Sequence, residues 1–296
     1  MPEDMRLREH VLGLIRETYA TYGFDQIETP AMEHIENLTG RQGGENEKLI
    51  FKVLKRGREL ERGMETGELA DCGLRYDLTV PLARYYANNK NNLPSPLKAL
   101  QMGSVWRADK PQKGRFRQFT QCDIDIIGDG SIMAEIELIA ATAKMLTRIF
   151  SEVGIREFTV HINDRRILKA MAASAGFTPE QYDDVFIILD KMDKIGLEGV
   201  RESLLKREYP ARAVDHYIAL FEQITPDLAC GEFCRRTCGE FLEEKVPVNM
   251  DTIMESVSCM IDPSVQLCFD PTLVRGMSYY LSLIHISEPT RLDVIS

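Results

Sequence analysis

Residues 96–127 read PLKALQMGSVWRADKPQKGRFRQFTQCDIDII, and this stretch decides the fold. Two segments typical of β-strands, 96–106 and 116–127, flank a loop at 107–115 that is rich in arginine and lysine. In the loop and at Arg117, Asp109 is the single acidic residue among five basic ones. We therefore predict two strands joined by a strongly basic loop.

The second of these strands carries an unusual set of polar side chains. Successive side chains of a strand point to opposite faces, so one face collects a set of mostly polar and charged residues. These are Arg117, Phe119, Gln121, Asp123 and Asp125. A face that simply meets water would show the same pattern. The adjacent basic loop favours instead a ligand with anionic and cationic parts, such as a nucleotide phosphate beside an amino acid.

Outward from this stretch, the patterns predict sheet and helix in alternation. Apolar periodicity predicts helices at 4–22, 82–87 and 131–150, and strands at 24–30, 158–162 and 265–270. Residues 165–256 are almost entirely helical and acidic in pattern. Because strand character returns after them, we interpret 165–256 as a helical insertion into a sheet-based domain.

Composition restricts the class of protein. The chain has 296 residues, a net charge of −10, 44% hydrophobic and 28% charged residues, which is typical of a soluble globular protein. The charge argues against non-specific coating of nucleic acid. We found no stretch typical of a membrane span or signal peptide, so the sequence predicts a cytoplasmic protein.

Several chemistries have no signature in the sequence. The five histidines lack metal-ligand spacing, so no metal site is predicted, and neither common glycine-rich phosphate loop occurs. Cys230, Cys234 and Cys238 recur every four residues, as along one side of a helix. We interpret them as buried small side chains in preference to a metal or cluster site.

Four segments, taken in order, resemble the histidyl-tRNA synthetase family of class II aminoacyl-tRNA synthetases. They are YGFDQIETP at 22–30, LRYDLTVP at 74–81, VWRADKPQKGRFRQF at 105–119, and LVRG at 273–276 with Tyr279 and Tyr280. The resemblance implies an α+β fold, in which an antiparallel sheet is flanked by helices and carries a mostly helical insertion domain. It implies a catalytic core at 1–164 and 257–280, separated by the insertion at 165–256.

The resemblance also implies roles for matching positions. Pro30 would close a motif that builds a homodimer interface. The implied site residues are Arg107 for the α-phosphate of ATP, Arg275 for the reacting carboxylate and α-phosphate, Lys110, Lys113 and Arg115 for the loop that meets ATP and tRNA, Asp77, Thr79 and Gln121 for the amino-acid end of histidine, and Asp125 with Tyr280 for its imidazole.

The implied reaction joins histidine to tRNA(His) through an adenylate. The histidine carboxylate attacks the α-phosphorus of ATP and pyrophosphate leaves, so no protein nucleophile is needed, and arginines with Mg²⁺ would supply charge neutralisation. An alternative is the regulatory subunit of ATP phosphoribosyltransferase, a synthetase-like protein that does not charge tRNA. The basic loop favours the synthetase.

The sequence departs from the family at several places. Ser278 stands where the family usually has Asp, and Asp77 and Asp109 stand where Glu is common. Residues 281–296 begin LSLIHISEPTR, which does not continue the family's sheet and looks like the translation of a sequencing-library adapter. We therefore expect the native sequence to stop at Tyr280, without the third class motif and the anticodon-binding domain, and we expect the chain to be inactive in aminoacylation.

Overall fold

A computed structural model describes residues 1–39, 45–110, 115–225, 228–274 and 283–289. The chain forms two compact units, Met1–Gly130 and Ser131–Ser296. The domain boundaries implied at residues 164, 256 and 280 concern membership of a catalytic core, and they stay predictions.

Within its described residues, the first unit contains two sheets and four α-helices. Its elements are α1 (Pro2–Ala20), β1 (Asp25–Ile27), β2 (Met32–His34), α2 (Ile35–Leu38), β3 (Lys52–Leu54), α3 (Arg58–Thr66), β4 (Ala70–Leu74), α4 (Thr79–Asn89), β5 (Leu97–Trp106) and β6 (Gln118–Ile127). The helix predicted at 4–22 and the two long strands predicted at 96–106 and 116–127 are therefore present as α1, β5 and β6, with ends that differ by a few residues.

The strand pair that the sequence singled out forms most of one sheet. Its strand order is β1-β5-β6, with β1 parallel and β6 antiparallel to β5. The antiparallel register runs from Leu97 opposite Ile127 to Trp106 opposite Gln118. Side chains of directly opposite residues share a face of the sheet. The second sheet, β2-β4-β3, is antiparallel.

A buried arginine ties the end of β4 to this first sheet. Arg75 is 2% exposed. It donates to the backbone oxygen of Ser104 at 3.0 Å and to both oxygens of Thr29. A Cβ atom added at Gly103 would collide with the Arg75 guanidinium. The glycine therefore makes room for an arginine that holds the residues after β4 against β5.

The second unit is a sheet with a large helical portion. Its elements are α5 (Ile132–Glu152), β7 (Phe158–Asp164), α6 (Arg165–Ala175), α7 (Tyr182–Leu189), α8 (Met192–Lys206), α9 (Ala211–Phe221), α10 (Cys230–Thr237), α11 (Lys245–Ser258), β8 (Val265–Phe269) and β9 (Leu283–Pro289). Strands β7 and β8, which flank the helical stretch, pair in parallel. This pairing is what an insertion of helices between neighbouring strands produces.

Strand β9 corrects one expectation. It lies within 281–296, which we expected not to continue the sheet, yet it pairs antiparallel with β7 from Leu283 opposite Asp164 onward. Alternating apolar residues suit a strand, and Ile284 is 4% exposed. Pairing also satisfies backbone groups along an edge of β7. The adapter origin of this segment stays a prediction.

The core of the second unit is built from its helices and β7. Cys230, Cys234 and Cys238 are each at most 2% exposed, which confirms that they are buried side chains. Of the helices that the structure describes, none combines the length and the apolar character that crossing a membrane requires.

Candidate active site

The polar face predicted on β6 lies beside small or amide side chains of β5. Gln121 lies opposite Gly103, and Asp125 lies opposite Ala99. Between these pairs, Asp123 lies opposite Gln101, whose amide nitrogen donates to the backbone oxygen of Leu78 at 2.9 Å. Ala99 carries only a methyl group, and the Arg75 guanidinium occupies the space beyond Gly103.

The segment that follows β4 brings two further predicted residues to this face. Asp77 is 6% exposed, and its Oδ1 accepts from the backbone N–H of Val80 at 3.4 Å, in the first turn of α4. A carboxylate suits this position because the N-terminal N–H groups of a helix lack partners within the helix. Thr79 Oγ1 donates to Asp123 Oδ2 at 3.5 Å. The start of α4 therefore meets the middle of β6.

Arg107, at the end of β5, is held on three sides. Its Nε donates to the backbone oxygen of Tyr76 at 3.0 Å, and its Nη2 donates to Gln121 Oε1 at 3.3 Å. The guanidinium carbon lies 5.0 Å from the centroid of the Phe119 ring. Cation–π stacking and two hydrogen bonds fix the orientation of a group that is well suited to phosphate.

Three carboxylates act on one another at this face. Burial, followed by the charges of Asp123 and Asp77, raises the pKa of Asp125 to about 6. Burial also raises the pKa of Asp123, against hydrogen bonds from Gln121 and Thr79 that favour its charged form. A cationic or N–H-bearing ligand would relieve this repulsion.

Asp125 presents an unused acceptor. Its Oδ2 is buried and has no hydrogen-bond partner among the residues that the structure describes. Buried polar atoms are normally paired, so an orphaned oxygen here indicates a place for a donor from a ligand or from outside the described residues.

The predicted site residues divide into three groups. Asp77, Thr79, Arg107, Gln121 and Asp125 lie in the first unit, on or beside the polar face of β6. Arg115 instead approaches Asp109, with 3.8 Å between Nη1 and Oδ1, and Lys110 is exposed. Three further predicted residues, Lys113, Arg275 and Tyr280, lie outside the described residues.

Asp123 is the residue to which sequence reasoning assigned no role. Alternation placed it on the polar face, between Gln121 and Asp125. Its Oδ2 accepts from Gln121 Nε2 at 2.8 Å and from Thr79. The contact with Thr79 spans 44 residues of sequence, and no local pattern encodes it.

The described residues do not define a site for Mg²⁺. Within these ranges, no three His, Cys, Asp or Glu side chains are grouped as metal ligands. The need for Mg²⁺ stays a prediction.

Fold and side-chain geometry define an α+β protein with three interacting carboxylates and a hydrogen-bonded arginine at one face of a sheet. Comparison with known proteins names the family. The family model described as "Histidyl-tRNA synthetase" matches residues 1–284, and the chain belongs to that family. The resemblance found in the sequence motifs is thereby confirmed.

Curated relatives carry the name of a ligase. The histidine--tRNA ligase of Leifsonia xyli is 42% identical, over 98% of this chain and 68% of the relative. The probable histidine--tRNA ligase of Tropheryma whipplei is 39% identical, over 95% of this chain and 67% of the relative. The chain therefore spans about two thirds of the length of these relatives.

Solved structures confirm the fold class. The crystal structure of histidyl-tRNA synthetase from Nostoc sp. PCC 7120 superposes with a TM-score of 0.75 at 28% identity, covering 96% of this chain and 61% of that one. An ATP phosphoribosyltransferase regulatory subunit/histidyl-tRNA synthetase from Bacillus halodurans gives a TM-score of 0.76 at 22% identity, which shows the fold alone. Since the curated relatives are named as ligases, the regulatory-subunit alternative is not favoured.

Proposed function

We propose that this site activates histidine with ATP and that the whole protein transfers histidine to tRNA(His). The observation that carries the proposal is the arrangement at the polar face of β6, where Arg107 is fixed by hydrogen bonds and a buried oxygen of Asp125 has no partner among the described residues. Family membership and the names of the relatives support it. Because the chain spans about two thirds of those relatives, activity, substrates and partners are proposed for the whole protein.

The histidine half of the site is built from acceptors and one hydroxyl. Asp77, Thr79 and Gln121 receive the α-ammonium group, and Asp125 Oδ2 accepts from an imidazole N–H. An apolar amino acid of similar size would leave these buried polar groups unpaired, which rejects it strongly. The family motif also assigns Tyr280 to the imidazole of histidine.

The ATP half of the site depends on Arg107. A histidine carboxylate oxygen bonds to the α-phosphorus while the bond to pyrophosphate breaks, and Arg107 neutralises charge on the α-phosphate. Contacts with Tyr76, Gln121 and Phe119 already orient the guanidinium, so little reorganisation accompanies the reaction. The family motif assigns Arg275 to the reacting carboxylate and the α-phosphate.

The remaining roles are proposed by analogy with the family. Lys110, Lys113 and Arg115 supply positive charge to ATP and to the acceptor end of tRNA(His). Mg²⁺ accompanies the nucleotide, and a second copy of the chain forms the homodimer in the cytoplasm.

Ligand binding is the decisive measurement for this chain. Isothermal titration calorimetry should show binding of L-histidine and of histidinol, which keeps the ammonium and imidazole groups, and no binding of L-phenylalanine. Arg107→Ala should weaken ATP binding, while Arg16→Ala, at an exposed arginine of α1 that bonds Gln26, should not. Equal affinities for histidine and phenylalanine would remove the proposed function.

A further inference from the structure

Asp123 collects hydrogen bonds from two different segments at a single oxygen. Its Oδ2 accepts from Gln121 Nε2 at 2.8 Å and from Thr79 Oγ1 at 3.5 Å. Both donors belong to the proposed histidine site, yet the family motif gave no role to Asp123 itself.

The bonding capacities of the neighbouring groups fix the orientation of Gln121. A guanidinium only donates, an ionised carboxylate only accepts, and an amide has one end of each kind. Gln121 therefore turns Oε1 towards Arg107, at 3.3 Å, and Nε2 towards Asp123. With the carboxylate in place, the reverse orientation would set donor against donor and acceptor against acceptor.

This orientation links the two halves of the site. Thr79 and Gln121 belong to the proposed histidine half, and Arg107 to the ATP half. Asp123 accepts hydrogen bonds from Thr79 and Gln121, and the Gln121 amide connects it to Arg107.

We propose that Asp123 is a positioning residue, which fixes the Gln121 amide and through it the guanidinium of Arg107 for the α-phosphate. The assignment of Arg107 to ATP rests on the proposed function. The link between Asp123, Gln121 and Arg107 rests on the contacts alone, so it can be tested without a ligand.

Mutant cycles on the whole chain test the link. Asp123→Ala and Arg107→Ala are made singly and together, in the wild-type chain and in the Gln121→Ala variant. The urea midpoint of unfolding is measured for each variant. Because Arg107 also acts directly on the charge of Asp123, we expect strongly non-additive shifts in the wild-type background and a clearly smaller non-additivity once Gln121 is removed. A direct charge–charge interaction of Asp123 with Arg107 would persist without Gln121, so an unchanged coupling in both backgrounds overturns the proposal.

ATP titration provides a second test, because a charge effect of Asp123 and a positioning effect of Asp123 predict opposite changes in ATP affinity. Loss of a negative charge near a phosphate site, by itself, should tighten ATP binding. If Asp123 positions Arg107, its removal should weaken ATP binding. We therefore expect the dissociation constant of Asp123→Ala for ATP to rise on the order of threefold or more. Asp123→Asn keeps an acceptor oxygen for Gln121 and Thr79 and removes only the charge, and it should bind ATP as tightly as the wild type or more tightly.

The outcomes separate the two proposals. Tighter ATP binding by Asp123→Ala overturns the positioning role and leaves the proposed function intact. Non-additive urea midpoints that depend on Gln121, in a chain that binds neither histidine nor ATP, confirm the link and remove the proposed function.

Discussion

Asp125 lies directly opposite Ala99 in the antiparallel register of β5 and β6. Ala99 is fully buried, and its methyl group cannot satisfy the carboxylate beside it. Asp125 Oδ2 is left without a partner within the described part of the chain, and burial, then the charges of Asp123 and Asp77, raises the pKa of Asp125 to about 6. The protein thus keeps a desolvated acceptor ready at some expense of stability.

Replacing Asp125 should therefore stabilise the fold while weakening ligand binding. The pKa of about 6 in the folded protein lies above 3.8, the ordinary pKa of an aspartic acid side chain. The protonated Asp125 carboxyl stabilises the folded state below about pH 3.8, and this contribution is lost as pH rises through about 6. The pKa difference limits the contribution to about 3 kcal/mol. Asp125→Asn should raise the free energy of unfolding at pH 7.5 by on the order of 1–2 kcal/mol, measured by urea denaturation.

Histidine binding should respond to Asp125 in the opposite direction. Asp125→Asn should weaken the binding of L-histidine at least about tenfold, since a charge-assisted hydrogen bond is lost. In the wild type, affinity should fall as pH is lowered from 7 to 5, because the carboxylate that accepts from imidazole becomes protonated. Asp25→Asn, the same substitution at an exposed site on β1, should change neither quantity. Undiminished histidine affinity in Asp125→Asn would contradict the assignment.

Arg107→Ala should abolish activation where the complete enzyme is assayed. Removal of a fixed charge from the α-phosphate is expected to slow histidine-dependent ATP–pyrophosphate exchange about 100-fold or more, with a smaller change in the KM for histidine. Arg16→Ala serves as the control. An exchange rate within a few-fold of wild type would show that another group neutralises the phosphate.

The pair His161–Asp270 in the second unit should make stability depend on pH. His161 Nδ1 lies 3.1 Å from Asp270 Oδ2, and hydrogen bonds with Asp270 and then Cys268 raise the pKa of His161 to about 10. Burial works against the Asp270 charge, but hydrogen bonds from His161 and Thr272 outweigh it and lower the pKa of Asp270. The contribution of His161 to the free energy of unfolding is fully present below about pH 6.5 and is lost as pH rises through about 10.

His161→Gln should then lower the free energy of unfolding by about 1 kcal/mol at pH 7, because the pair is partly exposed and screened by solvent. The difference from wild type should shrink towards zero above pH 10. Urea titrations at pH 7, 9 and 10.5 would measure it, with His216→Gln, at an exposed histidine of α9, as the matched control. A difference that does not vary with pH would show that the pair is not linked to folding.

Gly103→Ala should destabilise the first unit. The added methyl group meets the buried Arg75 guanidinium, which is held by Ser104 and Thr29, so one of them has to move at a cost of about 1–3 kcal/mol. Gly13→Ala, in α1 with open space around its Cβ position, should instead stabilise by about 0.5–1 kcal/mol. Thermal unfolding of the two variants should shift in opposite directions.

The residues proposed to bind histidine and those proposed to bind phosphate differ in how far the sequence could predict them. Alternation along 116–127 placed Gln121, Asp123 and Asp125 on one face, because the two-residue period of a strand is a local property. The motif around Arg107 predicted that this arginine binds a phosphate, but it did not predict the contacts that orient the guanidinium. The central position of Asp123 became visible only when Thr79, 44 residues earlier, was found to donate to it.

The sequence by itself determined the long helices and strands, the polar face of β6, the basic loop and the family, since each follows from local periodicity or from a run of adjacent residues. Only the tertiary structure decided which elements meet. It brought the start of α4 to the middle of β6, placed the Arg75 guanidinium against Gly103, and added β9 to an edge of β7. These contacts join residues far apart in sequence, and they form because buried polar groups and strand edges require partners that the local chain cannot supply.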